Sequence, residues 1–286
     1  MKKIAALILI LGLAGWLAAD KKFEFVDKEE IQKTLRFQTV EGRMKFSLDN
    51  VIGSLTVTGT DGREVRLQAI KTIEARDQES LDRARREVVL DIVEEGSSVT
   101  VYVDGPFRGC DRDGRRRVRS EDRGYRVSYD FEVMIPRTAD VDLRTVTDGR
   151  IRVEGLEGSF DVRHVNGGIT MEDIHGSGSA RTVNGGVTVH FSRNPLSDCS
   201  FRTVNGDLDL TFPDDLAADL SLKTMMGKAY SNFEFVPIPT AVRVESDEQW
   251  KFIVRDGGRP YGIRVGQGGP EISMETLNGD LIIKKK

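Results

Sequence analysis

Five acids in the middle of the chain, Asp161, Glu172, Asp173, Asp207 and Asp209, are of a type that could do hydrolytic work. Two carboxylates flanking a glycosidic bond can serve as acid and base. Three histidines, His164, His175 and His190, supply the imidazoles that zinc favours. Asp207 and Asp209, two residues apart, would share one face of a strand and could offer oxygens to calcium. A plainer reading stands beside each. Acids are the default on the solvent face of a soluble sheet. His164 occupies a place where two related segments carry Thr182 and Thr203. The Gly-Gly-x-Gly-x-Asp repeat of calcium-binding β-rolls is absent, as are G-x-S-x-G, H-E-x-x-H and a phosphate-binding loop. These residues therefore lead to an expectation of no enzymatic activity, no metal and no cofactor. The competing reading is a carbohydrate-active enzyme on a β-helix, whose acids would cluster in a groove.

Arginine offers a different chemistry. The loop from 108 to 126 carries Arg108, Arg112, Arg115, Arg116, Arg117, Arg119, Arg123 and Arg126, interleaved with Asp111, Asp113, Glu121 and Asp122. Guanidinium forks match carboxylate and phosphate oxygens, so Arg115, Arg116 and Arg117 are a candidate anion-binding loop. The alternative is a solvated loop neutralised by its own acids. Two cysteines, Cys110 and Cys199, could form a disulfide in an oxidising compartment if the fold brings their Cα atoms within about 7 Å.

The compartment is read from the start of the chain. Lys2 and Lys3 precede an apolar run from Ile4 to Ala19 that ends in small residues before Asp20, which is the pattern of a secretory signal peptide over 1–19. Cleavage is expected after Ala19, with an uncleaved anchor as the alternative. No later stretch reaches the roughly 20 apolar residues of a spanning helix, so no transmembrane span is expected in the mature chain. The protein is expected in the periplasm or at the cell surface. A net charge of −4 gives no uniform positive field, and an exported protein does not meet nucleic acid. The expected partner is an envelope component: a protein, a polysaccharide or an anionic lipid.

The elements that must hold these side chains are mostly strands. Leu55 and Val57, then Thr60-Asp61-Gly62, then Val65, Leu67 and Ala69 read as paired strands around a turn. A short helix is predicted near 77–86, with Asp77 or Ser80 as its cap. Val88 to Val93 and Val99 to Val103 form a predicted hairpin around a polar turn, and Tyr125 to Ile135 a further strand. We assign 20–136 to a strand-rich N-terminal cap and 137–286 to a repeat region.

The repeat is the most informative pattern. It recurs as Arg163-His164-Val165-Asn166-Gly167-Gly168-Ile169, Arg181-Thr182-Val183-Asn184-Gly185-Gly186-Val187 and Arg202-Thr203-Val204-Asn205-Gly206-Asp207-Leu208. A variant at 144–151 opens the series, a degenerate copy at Lys223-Thr224-Met225-Met226-Gly227 continues it, and Glu275-Thr276-Leu277-Asn278-Gly279-Asp280-Leu281 closes it. Each Asn-Gly could be a hairpin turn, giving an antiparallel β-sandwich. That places the preceding Val165, Val183, Val204 or Leu277 on a polar face. Alternatively each Asn-Gly is a corner of a β-solenoid, which would let Val165 turn inward and let the Asn amides bond along the stack. We favour the solenoid. The terminal Lys284-Lys285-Lys286 would then discourage pairing at an open edge.

In order and spacing these segments resemble the DUF4097 family of adhesin-like β-strand-repeat proteins of bacteria, related to head GIN domain proteins. The likeness covers nearly all of the mature chain. It begins at Asn50-Val51-Ile52-Gly53-Ser54-Leu55-Thr56-Val57-Thr58-Gly59, runs through the Thr-Val-Asn-Gly copies and ends at Gly266-Gln267-Gly268-Gly269-Pro270-Glu271-Ile272 with Thr276 to Asp280. The resemblance implies a right-handed β-helix-like fold and an envelope role, and carries no catalytic residue. The arginine-rich insertion and the Met225-Met226-Gly227 copy depart from the family pattern.

Overall fold

The computed structural model describes residues 23–39, 42–110, 116–118, 123–238, 244–245, 252–254 and 261–286. The signal-peptide segment lies outside them. The N-terminal part contains β1 (Phe25–Arg36), β2 (Lys45–Asp49), β3 (Leu55–Thr60), β4 (Glu64–Ala75), α1 (Gln78–Glu87), β5 (Val89–Glu95), β6 (Ser98–Asp104), β7 (Arg108–Cys110), β8 (Arg116–Val118) and β9 (Tyr125–Pro136). The repeats follow as β10 (Asp140–Arg144), β11 (Ile151–Leu156), β12 (Phe160–Arg163), β13 (Ile169–Ile174), β14 (Gly178–Arg181), β15 (Val187–Phe191), β16 (Cys199–Arg202), β17 (Leu208–Phe212), β18 (Ala218–Thr224) and β19 (Ala229–Ser231). The last strands are β20 (Phe235–Ile238), β21 (Val244–Glu245), β22 (Phe252–Val254), β23 (Tyr261–Val265), β24 (Glu271–Thr276) and β25 (Leu281–Lys285).

Among the described residues the protein is all-β with one short helix, and two large mixed sheets face each other as in a sandwich. The first sheet runs β1-β4-β9-β3-β11-β13-β15-β17-β25-β19-β22-β21, and the second β20-β23-β18-β24-β16-β14-β12-β10-β2-β6-β5. From β10 to β17 successive strands alternate between the sheets, and each pairs in parallel with its counterpart one repeat away, as Ile151 with Ile169 and Val162 with Ala180. The sandwich alternative fits the two facing sheets, but the Asn-Gly steps are not its hairpin turns. β12 and β13 flank Asn166-Gly167 yet lie in different sheets, so the step crosses the core instead of folding a strand back on itself. One strand from each sheet makes a rung.

Period-2 alternation explains what fills the space between the sheets, since every second side chain of a strand points the same way. Ile151, Val153, Val162, Met171, Ala180, Val189, Leu210 and Met274 are all buried. Phe191 stacks on Phe212 with ring centroids 4.8 Å apart and meets Phe201 edge-on at 6.2 Å. At the N-terminal end α1 forms because the Asp77 side chain accepts from the Ser80 N–H at 2.7 Å, and its Leu81 and Ala84 are buried. β5 and β6 form the antiparallel hairpin.

Three expectations are corrected. β3 and β4 are not paired, because β9 lies between them, parallel to β3 and antiparallel to β4. The three residues 61–63 suffice for this, since two strand spacings come to about 10 Å. The last repeat in sequence is not the last rung. β24 lies between β16 and β18, and β25 between β17 and β19, so the chain lays down the degenerate copy one slot too far and returns to fill the gap. Charge favours this order: Glu275 of the inserted rung stands between Arg202 and Lys223, which would otherwise be neighbours. Finally, β25 is internal, so the terminal lysines protect no edge. Lys284 pairs with Asp209 at 2.7 Å, and Lys285 lies 5.3 Å from the centre of the Phe233 ring.

Candidate functional site

The Asn-Gly corners stack into two ladders. Asn184 Nδ2 donates to Asn166 Oδ1 at 2.8 Å, Asn205 Nδ2 to Asn184 Oδ1 at 2.8 Å, and Asn278 Nδ2 to Asn205 Oδ1 at 2.7 Å. Inside them runs a threonine ladder in which each hydroxyl donates to a glycine carbonyl of the preceding rung. The pairs are Thr182 with Gly167, Thr203 with Gly185, Thr276 with Gly206 and Thr224 with Gly279, at 2.8 to 3.0 Å. Because Thr276 and Thr224 obey spatial rather than chain order, the ladder stays continuous through the inserted rung. Gly185, Gly206 and Gly279 have φ near +150°, and a Cβ on Gly206 would lie 2.2 Å from the Gly185 carbonyl oxygen. Glycine is therefore required there by close backbone approach. Gly167 lies in the same column, and a Cβ on it would strike the His164 ring.

The residue before each Asn does not turn inward, which corrects the sequence reading. Val165 is 37% exposed, Val183 39% and Leu277 41%. The neighbouring threonine takes the inward position because its hydroxyl satisfies a buried carbonyl that valine could not. The corner consequently presents an apolar ridge to solvent.

His164 occupies a threonine position, buried, with Nδ1 accepting from the Val165 N–H at 2.8 Å. Burial pushes its pKa below the usual value, and the nearby Gly149 carbonyl offsets part of that. His190 contacts Glu172 at 2.6 Å, and His175 contacts Asp173 at 3.2 Å. Among the described residues no three His, Cys, Asp or Glu side chains are grouped to hold a metal ion.

Each of the five candidate acids has a partner. Asp161 lies on the second sheet, where Arg163 and Ser179 donate to it; although burial raises its pKa, the Arg163 contact brings it below the ordinary carboxylate range. Asp173 is held low first by a hydrogen bond from Ser192 and then, against some burial, by His175. Asp207 sits at a corner and accepts from the Asp280 N–H at 2.8 Å, while Asp209 faces outward from the first sheet to Lys284. The two therefore have different partners.

Arg115 lies outside the described residues, and Arg116 and Arg117 fall in β8, whose side chains are not described. Arg108 is engaged at the base of this segment, donating to Asp49 at 2.9 Å and stacking on Tyr102 at 4.1 Å. Cys199 is a free, buried thiol, 3.6 Å from the Ser197 carbonyl, with its pKa pushed up by burial, and the side chain of Cys110 lies outside the described residues.

A further surface went unread in the sequence. On the outer face of the first sheet, register places Gln32, Gln68, Glu132 and Thr56 in one row, and Thr34, Arg66, Met134 and Thr58 in the next. The rows line a shallow concavity of about 640 Å³, which adjoins another of about 460 Å³ beside Gly62 and Arg63. Alternation with Val65, Leu67 and Ala69 marks Arg66 and Gln68 as outward-facing, but the strand order that assembles the rows is not local.

No protein-family model matches the sequence, and no curated protein is similar to it. Among solved structures, the chain is similar to a "putative cell adhesion protein" from Clostridium sporogenes at 12% identity and a TM-score of 0.45, over 91% of this chain and 100% of that one. It is also similar to a "putative adhesin" from Bacteroides fragilis at 11% identity and a TM-score of 0.27, over 90% and 97% of the two chains.

Proposed function

We propose that this is an exported, non-enzymatic binding module of the bacterial envelope, adhesin-like in role and of the DUF4097 kind. In this reading the parallel body is a right-handed β-solenoid, the hand that parallel crossovers almost always take, and the N-terminal strands and helix close one end. The observation that carries the reading is the arrangement of the outer faces. On the second sheet Asp142, Asp161, Ser179, Ser200 and Ser273 stand in one column and Arg144, Arg163, Arg181 and Arg202 in the next, rung after rung about 4.8 Å apart, which suits an extended ligand. Asp161, Glu172, Asp173 and Asp209 each have a cationic, imidazole or hydroxyl partner. A pair of carboxylates with pKa values driven apart, as acid–base hydrolysis requires, is not what these contacts favour.

The test is to mix the chain from Asp20 onward with isolated peptidoglycan, outer-membrane lipid and surface polysaccharide. Saturable binding without chain cleavage is the expected result. Release of reducing ends from a polysaccharide, or no binding to any fraction, would overturn the proposal.

A further inference from the structure

We infer that the outer face of the first sheet at its N-terminal end is a glycan site, and that it takes a linear polysaccharide carrying carboxylates. The inference rests on reading the protein as an envelope binding module, and names the place and ligand class. Five of the eight side chains in the two rows are uncharged hydroxyls or carboxamides, brought together from four strands; Gln32 and Gln68 each donate one N–H to Glu30, which leaves each a second N–H and its carbonyl oxygen. Strands lie about 4.8 Å apart and same-face residues about 6.8 Å apart along a strand, so the rows form a flat grid of donors and acceptors. Such a grid suits the ring hydroxyls of sugars. Met134, half exposed at 50%, gives the grid one apolar patch against which a sugar ring face can lie.

Charge narrows the class. Glu64 is engaged by Arg36 at 2.9 Å, while Arg63 and Arg66 beside it make no ion pair among the described residues. This contrasts with Arg144, Arg163 and Arg264, each closed onto an aspartate of its own or the neighbouring strand. Arg66 lines both concavities, so a ligand lying along them passes its guanidinium, whose fork matches a carboxylate. Glu132, also without an ion pair among the described residues, accepts hydrogen bonds from sugar hydroxyls in the adjacent row.

The experiment uses the full mature chain and three probes: alginate as a linear polyuronate, dextran as a neutral glycan and inorganic polyphosphate as a polyanion without sugar. Saturable binding to alginate, stronger than to dextran or polyphosphate, is expected. Arg66→Gln should weaken it roughly tenfold, and Thr58→Val, which keeps the strand's shape, by roughly threefold. Both variants should melt like the wild type. Alginate binding that neither variant alters would overturn the site. Polyphosphate bound as tightly as alginate would overturn the ligand class. If envelope fractions bind but alginate does not, this inference fails while the module reading survives; if nothing binds, both fail.

Discussion

The turns that carry the chain from the second sheet to the first differ in kind from those that bring it back. The outgoing turns are uniform: five residues separate Arg163 from Ile169, Arg181 from Val187 and Arg202 from Leu208. Two of them send a threonine inward and the first sends His164, while each turns an aliphatic side chain outward and an asparagine along the stack. The return turns vary, from three residues at 157–159 and 175–177 to seven at 192–198. The extra length at 192–198 accounts for the longer interval between Asn184 and Asn205 than between Asn166 and Asn184. A corner whose backbone groups must be satisfied by the next rung tolerates little variation, whereas a turn facing solvent tolerates a good deal.

That contrast can be broken most sharply at Gly206. Gly206→Ala forces a Cβ onto the Gly185 carbonyl at a left-handed φ, and should cost about 3 kcal/mol in denaturant unfolding. An alanine variant as stable as the wild type would show that the corner is not tightly packed. Thr203→Val keeps the shape but leaves the Gly185 carbonyl without its 2.8 Å donor, with an expected loss of about 1.5 kcal/mol. Asn205→Leu cuts two amide links in a solvent-exposed ladder and should lower stability by about 1 kcal/mol, read as a small drop in melting temperature.

The histidine in the threonine column adds a pH dependence. His164 is held neutral by burial, so the unfolded chain takes up a proton before the folded one does, and stability is lost as pH falls below the unfolded value of about 6.5. His164→Thr should flatten melting temperature between pH 7 and pH 5 relative to the wild type; an unchanged slope would place that dependence elsewhere. The smallest effect belongs to the return turn. Two residues inserted beside Leu196, which is 91% exposed, should cost less than about 0.5 kcal/mol. A cost comparable to that at Gly206 would erase the distinction between the two kinds of turn.

Legibility in the sequence followed the same division. The Thr-Val-Asn-Gly repeats, the cap of α1 and the β5–β6 hairpin were readable because each depends on residues a few positions apart. β1 was not, because as an edge strand it buries only Leu35 and carries charge along the rest, leaving no period-2 signal. The inward threonine and outward valine were misassigned because hydrophobicity alone sends valine inside; the unsatisfied glycine carbonyl that reverses the choice belongs to another rung. The two rows around Arg66 were out of reach for a related reason, since Gln32, Thr56, Gln68 and Glu132 become neighbours only through strand order.

By itself the sequence determined the strand-rich class, the repeating unit and the composition of each rung, all set by short-range alternation and turn chemistry. Tertiary structure alone decided which rung lies beside which. Every rung offers nearly the same backbone edge and the same Thr and Asn partners, so local pattern cannot rank the neighbours. Contacts between residues far apart in the chain distinguish the observed order, among them Glu275 between Arg202 and Lys223 and Lys284 on Asp209.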